Sequence, residues 1–486
     1  MVWINRRHFL QGSGALAAGL SLDGCGGGSG AGAPPAPPVS YVPPPPLADA
    51  ALIDETARRT FMYFWQTTEA ARGLAPDYAP ASSPASIAAM GFALSALPVG
   101  VSRNWVGRAE AAMRALNSLA FLRDAPQGAG TAGCAGYRGF FYHFLDMQTG
   151  TRYRDSELST IDTALLMMGV RCVGQFFNGN DATETQIRQL ADALPERVDW
   201  NWMQPHGPGI CMGWRPESGF LNGDWVGFNE ASLMYFLALG SASHPVGPDA
   251  WTAWTSGYEL TFGQVEGITQ LSFGALFAHQ FTQAWVDMRG IQDAYMAAKG
   301  FDYFENTRRV AQAHRAYAAR NPMAWLGYSA DVWGLSACDG PAYTTQVYQG
   351  EQRAFRSYSA RGVGLVENFD DGTLCPAAAI GCLPHTPAES TACMQAMYQR
   401  YGAVLWGEYG YYDCFNPSFQ YDAVLQSGRR VGTLGWVDNR YYGINQGPLL
   451  AMIENSRTGL LWSLSRTDPV IVRGLQRAGF KGGWLG

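Results

Sequence analysis

An all-α fold is predicted for residues 47–486: a double ring of helices closing into an α/α toroid, with long loops forming a cleft on one face. Three observations carry this. About a dozen segments repeat apolar residues at helical spacing, strand signals are sparse, and no linker divides the stretch. The candidate helices are 49–69, 84–97, 105–123, 157–177, 182–198, 229–239, 247–257, 272–286, 290–319, 388–402, 446–456 and 458–478. Ala88, Phe92 and Ala96, like Ala111, Leu116, Leu119 and Phe121, supply the apolar stripes. Only 362–367 and 430–436 read as short strands, placed in loop hairpins. A Gly-rich βαβ fingerprint and a phosphate loop are both absent.

The chain opens with a different kind of sequence. Asn5-Arg6-Arg7-His8-Phe9-Leu10-Gln11 matches the twin-arginine export pattern, and a short, mildly apolar run at 16–22 follows it. Leu22-Asp23-Gly24-Cys25 resembles a bacterial lipobox, with Asp23 an unusual occupant, and marks Cys25 as the lipidation candidate. Residues 1–24 therefore read as a signal peptide and 25–46 as a tether, flexible in its Gly/Ser half and stiff in its Pro-rich half. Residues 47–486 are the single folded domain. The expected address is the periplasm, reached by the twin-arginine route, with membrane contact only through a lipid on Cys25. Eight cysteines follow, and an oxidising compartment predicts one or two disulfides, with Cys375 paired to Cys382 or Cys393.

Composition narrows the partner. Of 486 residues, 47% are hydrophobic and 15% charged, with a net charge of −6 and no basic block in the folded part, which argues against nucleic acid. The 16 Trp, 23 Tyr and 24 Phe suit a neutral, hydroxyl-rich ligand, and equally suit an aromatic-heavy core.

Five stretches carry the chemistry. Residues 211–241, CMGWRPESGFLNGDWVGFNEASLMYFLALGS, set Glu217, Asp224 and Glu230 among Trp214, Phe220, Trp225 and Phe228. Asn229 reads as an N-cap, so Glu230 falls at a helix start, where the dipole favours its anion and burial opposes it. Asp224 can be a turn residue and Glu217 a partner of Arg215. Residues 139–162, GFFYHFLDMQTGTRYRDSELSTID, supply Tyr142, His143, Asp155, Glu157 and Asp162. Asp155 reads as an N-cap and Glu157 as a first-turn residue, whereas Asp162 lies inside the helix and faces either core or cleft. The stretches at 321–340, 406–420 and 436–446 add Asp413, Tyr411, Tyr441 and Asn445, phenols and amides with flat faces for a sugar ring, or aromatic packing in long loops.

Other chemistries lack their residues. A GxSxG elbow, an HExxH motif, CxxC and close-spaced His pairs are all missing, and His279 in LFAHQF reads as a core residue. No metal or cofactor is expected. The acidic residues remain as the catalytic candidates.

Longer motifs are more specific. SELSTIDTALLM, GWRPESGF, FNEASLMYFLALGSASHPV, RGIQDAYMAAKGFDYFENTRR, YGYYDCFNPSF and NQGPLLAMIENSRTGLLW, in this order, resemble the bacterial glycoamylase-like domain family, which includes the endo-β-1,2-glucanases of glycoside hydrolase family 144. The resemblance implies an (α/α)6 barrel that cleaves a soluble β-glucan, β-1,2-linked above all, by endo, inverting hydrolysis. It implies Glu230 as general acid and Asp413 as general base. Glu157 and Asp162 match the acidic lining of that cleft, and Tyr142, His143, Trp214, Glu217, Trp225, Tyr411, Tyr441 and Asn445 are the further candidates for binding the oligo- or polysaccharide. A monomer is expected. The Cys375–Cys393 region departs from the family pattern. Two other classes stay open: a non-catalytic glycan-binding lipoprotein, and a polysaccharide lyase or other-linkage glucosidase on the same toroid.

Overall fold

The computed structural model describes residues 42–366 and 368–486. The twin-arginine segment, Cys25 and most of the 25–46 tether lie outside the described residues. The helices are α1 (Asp49–Thr67), α2 (Ile87–Ser102), α3 (Arg108–Asp124), α4 (Thr160–Phe176), α5 (Ala182–Glu196), α6 (Ser232–Gly240), α7 (Asp249–Thr255), α8 (Phe277–Trp285), α9 (Ala294–Lys299), α10 (Tyr303–Arg320), α11 (Pro376–Ile380), α12 (Pro387–Leu405), α13 (Gly443–Arg457), α14 (Leu460–Arg466) and α15 (Pro469–Arg477).

Burial sorts them into two rings. Every residue of α6, α8 and α11 is buried, as are residues 87–100 of α2, 160–173 of α4 and 443–455 of α13. A helix buried on all sides must be enclosed by others. These six pack in the order α11, α13, α2, α4, α6, α8, and Gln280 of α8 closes the ring by donating to the Ala378 carbonyl of α11 at 2.7 Å. Outside them, α1, α3, α5, α10 and α12 bury one stripe each; in α5 it is Ile187, Leu190, Ala191 and Leu194. The result is the all-α double ring with short, scattered strand pairs. The tightest crossing joins α2 to α4, where a Cβ on Gly91 would stand 2.3 Å from the Leu165 carbonyl oxygen and one on Gly169 2.2 Å from that of Gly91.

The loops that matter sit at the N-terminal ends of the inner helices. Residues 85–86, 158–159 and 441–442 are two-residue strands that run directly into α2, α4 and α13, and they pair with 144–145, 213–214 and 78–79 respectively. Ser86 (φ −99, ψ 125) and Ser159 (φ −100, ψ 123) adopt one conformation and cap their helices through their side chains. These ladders stitch the connecting loops together over one end of the barrel.

Several boundaries differ from expectation for local reasons. The 157–177 helix begins at Thr160, because Ser159 rather than Asp155 caps it and Glu157 lies before the strand. The 229–239 helix begins at Ser232, since the Asn229 side chain accepts from the Ala231 N–H in a turn instead of capping. Residues 290–319 form two helices, split by Gly300 at φ +82 and recapped by Asp302. Residues 458–478 also split, where Asp468 caps α15 and Pro469 ends any continuation from α14. The sequence reading missed α11 and the hairpin 344–348/351–355, whose turn residues Gln349 and Gly350 both have positive φ. Residues 362–366 form no strand, whereas Arg429 and Arg430 pair with Val437 and Trp436. The eight cysteines from Cys134 to Cys414 are all free thiols, contrary to the expected bridges. Cys382 sits against Gln280 and Cys393 against the Trp333 carbonyl, so neither faces Cys375.

Candidate active site

Polar side chains gather at the starts of α4 and α13, and Glu230 lies on the loop before α6. The first wall is built at the start of α4. His143 places Nδ1 3.0 Å from Glu157 Oε1 and Nε2 3.6 Å from Asp162 Oδ2, so one imidazole spans two carboxylates. Ser159 donates to Asp162 Oδ2, and Arg215 adds a second cation 3.6 Å from Glu157. Burial opposes ionisation of Glu157, but the His143 hydrogen bond and charge, with Arg215, outweigh it and hold the carboxyl at about 2. This wall keeps an anion.

Trp225 joins that wall to the Glu230 loop. Its strand, 224–225, pairs with 210–211, and its indole N–H donates to Thr160 Oγ1 at 3.0 Å, while Thr160 Oγ1 reaches the Cys211 and Met212 carbonyls at 2.9 and 3.0 Å. Glu230 follows, only 3% exposed, two residues before α6. Trp214 is half-buried and packs with Tyr137 and Trp202 at ring distances of 5.6 and 5.5 Å, leaving an aromatic edge on the rim.

The second wall is built at the start of α13. Asp413, 1% exposed, accepts from Asn445 Nδ2 at 2.7 Å and from the Asp339 N–H at 3.1 Å. Asp339 accepts from the Tyr442 hydroxyl at 2.9 Å and from Arg440, which also holds Asp438 at 3.1 Å. Arg440 lies over the Tyr78 and Tyr442 rings. Burial, together with the nearby Cys338 and Asp438, pushes the Asp413 carboxyl well above the usual aspartate range. Burial and the charge of Asp339 raise Asp438 to about 7. This wall raises its carboxyls.

Of the other expected residues, Tyr142, Tyr411 and Tyr441 are buried and Glu217 is exposed. Tyr142 is fully buried under Arg152, whose guanidinium is 4.8 Å from its ring. Arg152, not Arg215, pairs with Glu217, through two bonds of 2.5 and 3.0 Å. Tyr411 donates to the Met394 carbonyl of α12 at 2.8 Å, and the Tyr441 hydroxyl accepts from the Tyr409 N–H at 3.1 Å. His279 is buried with Nε2 3.2 Å from the Phe273 carbonyl. The reading of the chain named Tyr442 with Tyr441 and Asn445, but did not single out Asp339, Asp438 or Arg440, although all three lie in stretches it marked as cleft walls. Their signal is only a cluster of charge in an otherwise charge-poor chain.

A double helical ring with carboxyls at one end narrows the families, and direct comparison decides among them. The family model "Glycoamylase: Putative glucoamylase" matches residues 222–469, just over half of the chain, including Glu230 and Asp413. The chain belongs to the glycoamylase family. It is 27% identical over 464 residues to an exo β-1,2-glucooligosaccharide sophorohydrolase (non-reducing end) of Parabacteroides distasonis, covering 89% of this chain and 58% of that relative. The chain therefore spans less than two thirds of that curated relative. It also superposes on a "putative glucoamylase" of Bacteroides uniformis with a TM-score of 0.77 at 28% identity, covering 91% of this chain and 100% of the other. An endo-β-1,2-glucanase of Chitinophaga pinensis, in complex with sophorotriose and glucose, gives a TM-score of 0.76 at 25% identity, covering 90% and 100%. This glycoamylase-family chain thus shares the barrel of those structures across nearly all of its described length.

Proposed function

We propose that this chain is a glycoside hydrolase that cleaves soluble β-1,2-glucan internally and with inversion, Glu230 being the general acid and Asp413 the general base. The observation that carries the reading is the pair of nearly buried carboxyls, Glu230 before α6 and Asp413 beside the α13 start, in a family whose relatives include a sophorohydrolase and an endo-β-1,2-glucanase. In this mechanism Glu230 protonates the glycosidic oxygen while Asp413 takes a proton from the attacking water on the opposite ring face, an arrangement that needs carboxyls about 6.5–9.5 Å apart. A carboxylate whose pKa is raised is, once ionised, a stronger proton acceptor than an ordinary aspartate, which suits the direction in which burial moves Asp413. Glu157, held anionic by His143 and Arg215, binds sugar hydroxyls, and Trp214 offers a stacking edge. Export to the periplasm by the twin-arginine route, a lipid on Cys25 and a monomeric state complete the proposal.

The test is reducing-sugar release from linear β-1,2-, β-1,3-, β-1,4- and α-1,4-glucans by wild type and Glu230→Gln. Release from β-1,2-glucan alone, lost in the variant, supports the reading. Equal activity in both sinks the acid assignment, and silence on all four with the chain folded returns the protein to a binding role. Product length separates internal cleavage from stepwise sophorose release, and the first anomer seen by NMR separates inversion from retention. Membrane fractionation of wild type against Cys25→Ala tests the anchor.

A further inference from the structure

Beneath the second wall lies a cluster of thiols that hydrolysis does not use. Cys338, on the strand 337–338, and Cys414, beside Asp413, bring two sulfurs and a carboxylate oxygen of Asp413 to within 4.8 Å of one another, all three residues buried. Cys375, the residue before α11, spends no hydrogen bond on capping that helix, and its thiol is a neighbour of Cys338. None of the four residues is more than 1% exposed. The Arg361 guanidinium approaches Cys338 Sγ at 3.8 Å, a cation that favours sulfur in its thiolate form.

We propose that Cys338, Cys375, Cys414 and Asp413 form a site for a thiophilic divalent cation of the zinc or cadmium type. Soft sulfur donors select such ions over magnesium or calcium, and three sulfurs with one oxygen complete a tetrahedron. Tetrahedral zinc bonds of about 2.3 Å to sulfur and about 2.0–2.2 Å to oxygen put neighbouring donors roughly 3.3–3.8 Å apart. That is a modest contraction from the span of Cys338, Cys414 and Asp413, into which the Cys375 side chain must turn from beside Cys338. On binding, each thiol releases its proton to solvent, so affinity rises with pH. The loaded site carries excess negative charge that Arg361, itself paired with Asp371 at 2.7 Å, offsets in part. The functional consequence rests on the reading of Asp413 as the base: an oxygen bound to the ion cannot accept a proton from water, so loading switches hydrolysis off.

The full chain, stripped with chelator and reductant, is titrated with Cd²⁺ while the sulfur-to-metal charge-transfer absorption is followed, and Zn²⁺ is then used to displace it. One ion per chain is expected, with Cys414→Ala and Cys375→Ala each weakening binding about tenfold or more. Asp413→Asn, which keeps all three sulfurs, retains the absorption with lower affinity and guards against a fold lost in the cysteine variants. Cys211→Ala, at the separate His206–Cys211–Asp224 cluster, leaves it intact. No absorption, absorption removed by Cys211→Ala alone, or a non-reduced mass showing a disulfide among these three cysteines overturns the site. Stoichiometric binding without loss of hydrolysis by wild type keeps the site and overturns its control of Asp413, whereas binding in a chain inactive on every glucan breaks the hydrolase reading instead.

Discussion

The two walls of the cleft hold their carboxyls in opposite ways. At the α4 start, His143 and Arg215 surround Glu157 and keep it ionised to about 2. At the α13 start, Asp413 is enclosed by an amide, a backbone N–H and other acids, and burial drives its pKa up; Asp438 is lifted to about 7. Similar strand-to-helix geometry yields both, because Ser159 and Tyr442 start their helices with nearly the same backbone angles. What differs is the neighbours. Charged partners beside one carboxylate and burial around the other move the two pKa values in opposite directions.

The largest test of this contrast is removal of the raised carboxyl. Asp413→Asn is expected to lower kcat by about a thousandfold or more with little change in melting temperature, measured on β-1,2-glucan. A loss below tenfold would move the base elsewhere, with Asp339 the next carboxyl to test. Next comes the anionic side: His143→Ala removes the main partner of Glu157 and should reduce kcat/KM by about ten- to a hundredfold, chiefly through KM. An effect confined to kcat would instead place His143 in the chemical step.

The pH profile sharpens the same comparison. A raised Asp413 pKa predicts that activity falls as the medium is acidified through a midpoint well above that of an ordinary aspartate, since the protonated form cannot act as base. Asn445→Ala removes the hydrogen bond that favours the anion and is expected to shift this midpoint further up, with about a tenfold loss at neutral pH. An acidic limb near 4 in both proteins would contradict the account. The smallest expected effect lies away from both walls. Burial lowers His279 to about 4 and His314 and His385 to about 3. Each binds its proton more readily in the unfolded chain, so folding stability should fall progressively from about pH 6.5 towards 3. His279→Gln is expected to flatten that decline over its upper part, as read by urea unfolding at stepped pH.

Much of the fold was legible because burial leaves a periodic trace. LMYFLAL in α6 and LFAHQF before and within α8 are apolar on every side, the mark of an inner helix, while α5 and α10 alternate as outer helices do. The boundaries failed where a single side chain decided them, at Ser159, Asn229 and Asp468, since several nearby residues could cap equally well. The disulfide expectation failed because compartment and spacing say nothing about which sulfurs meet: Cys375 faces Cys338, a residue far from it in sequence. Tyr142 and Tyr411 were marked as wall residues by their setting and proved to be buried supports, because an aromatic in a loop looks the same from either side.

By itself, then, the sequence determined the all-α class and the aromatic, charge-poor character of the loops, both set by local composition and periodicity. Glu230 and Asp413 were nominated as acid and base by the resemblance to a family alone. Only the tertiary structure decided which carboxyl is pushed up and which down. That depends on Arg440, Asp339, Cys338 and Asn445 converging on one wall and on His143 and Arg215 reaching the other, and electrostatic neighbours drawn from distant segments leave no periodic trace in the chain.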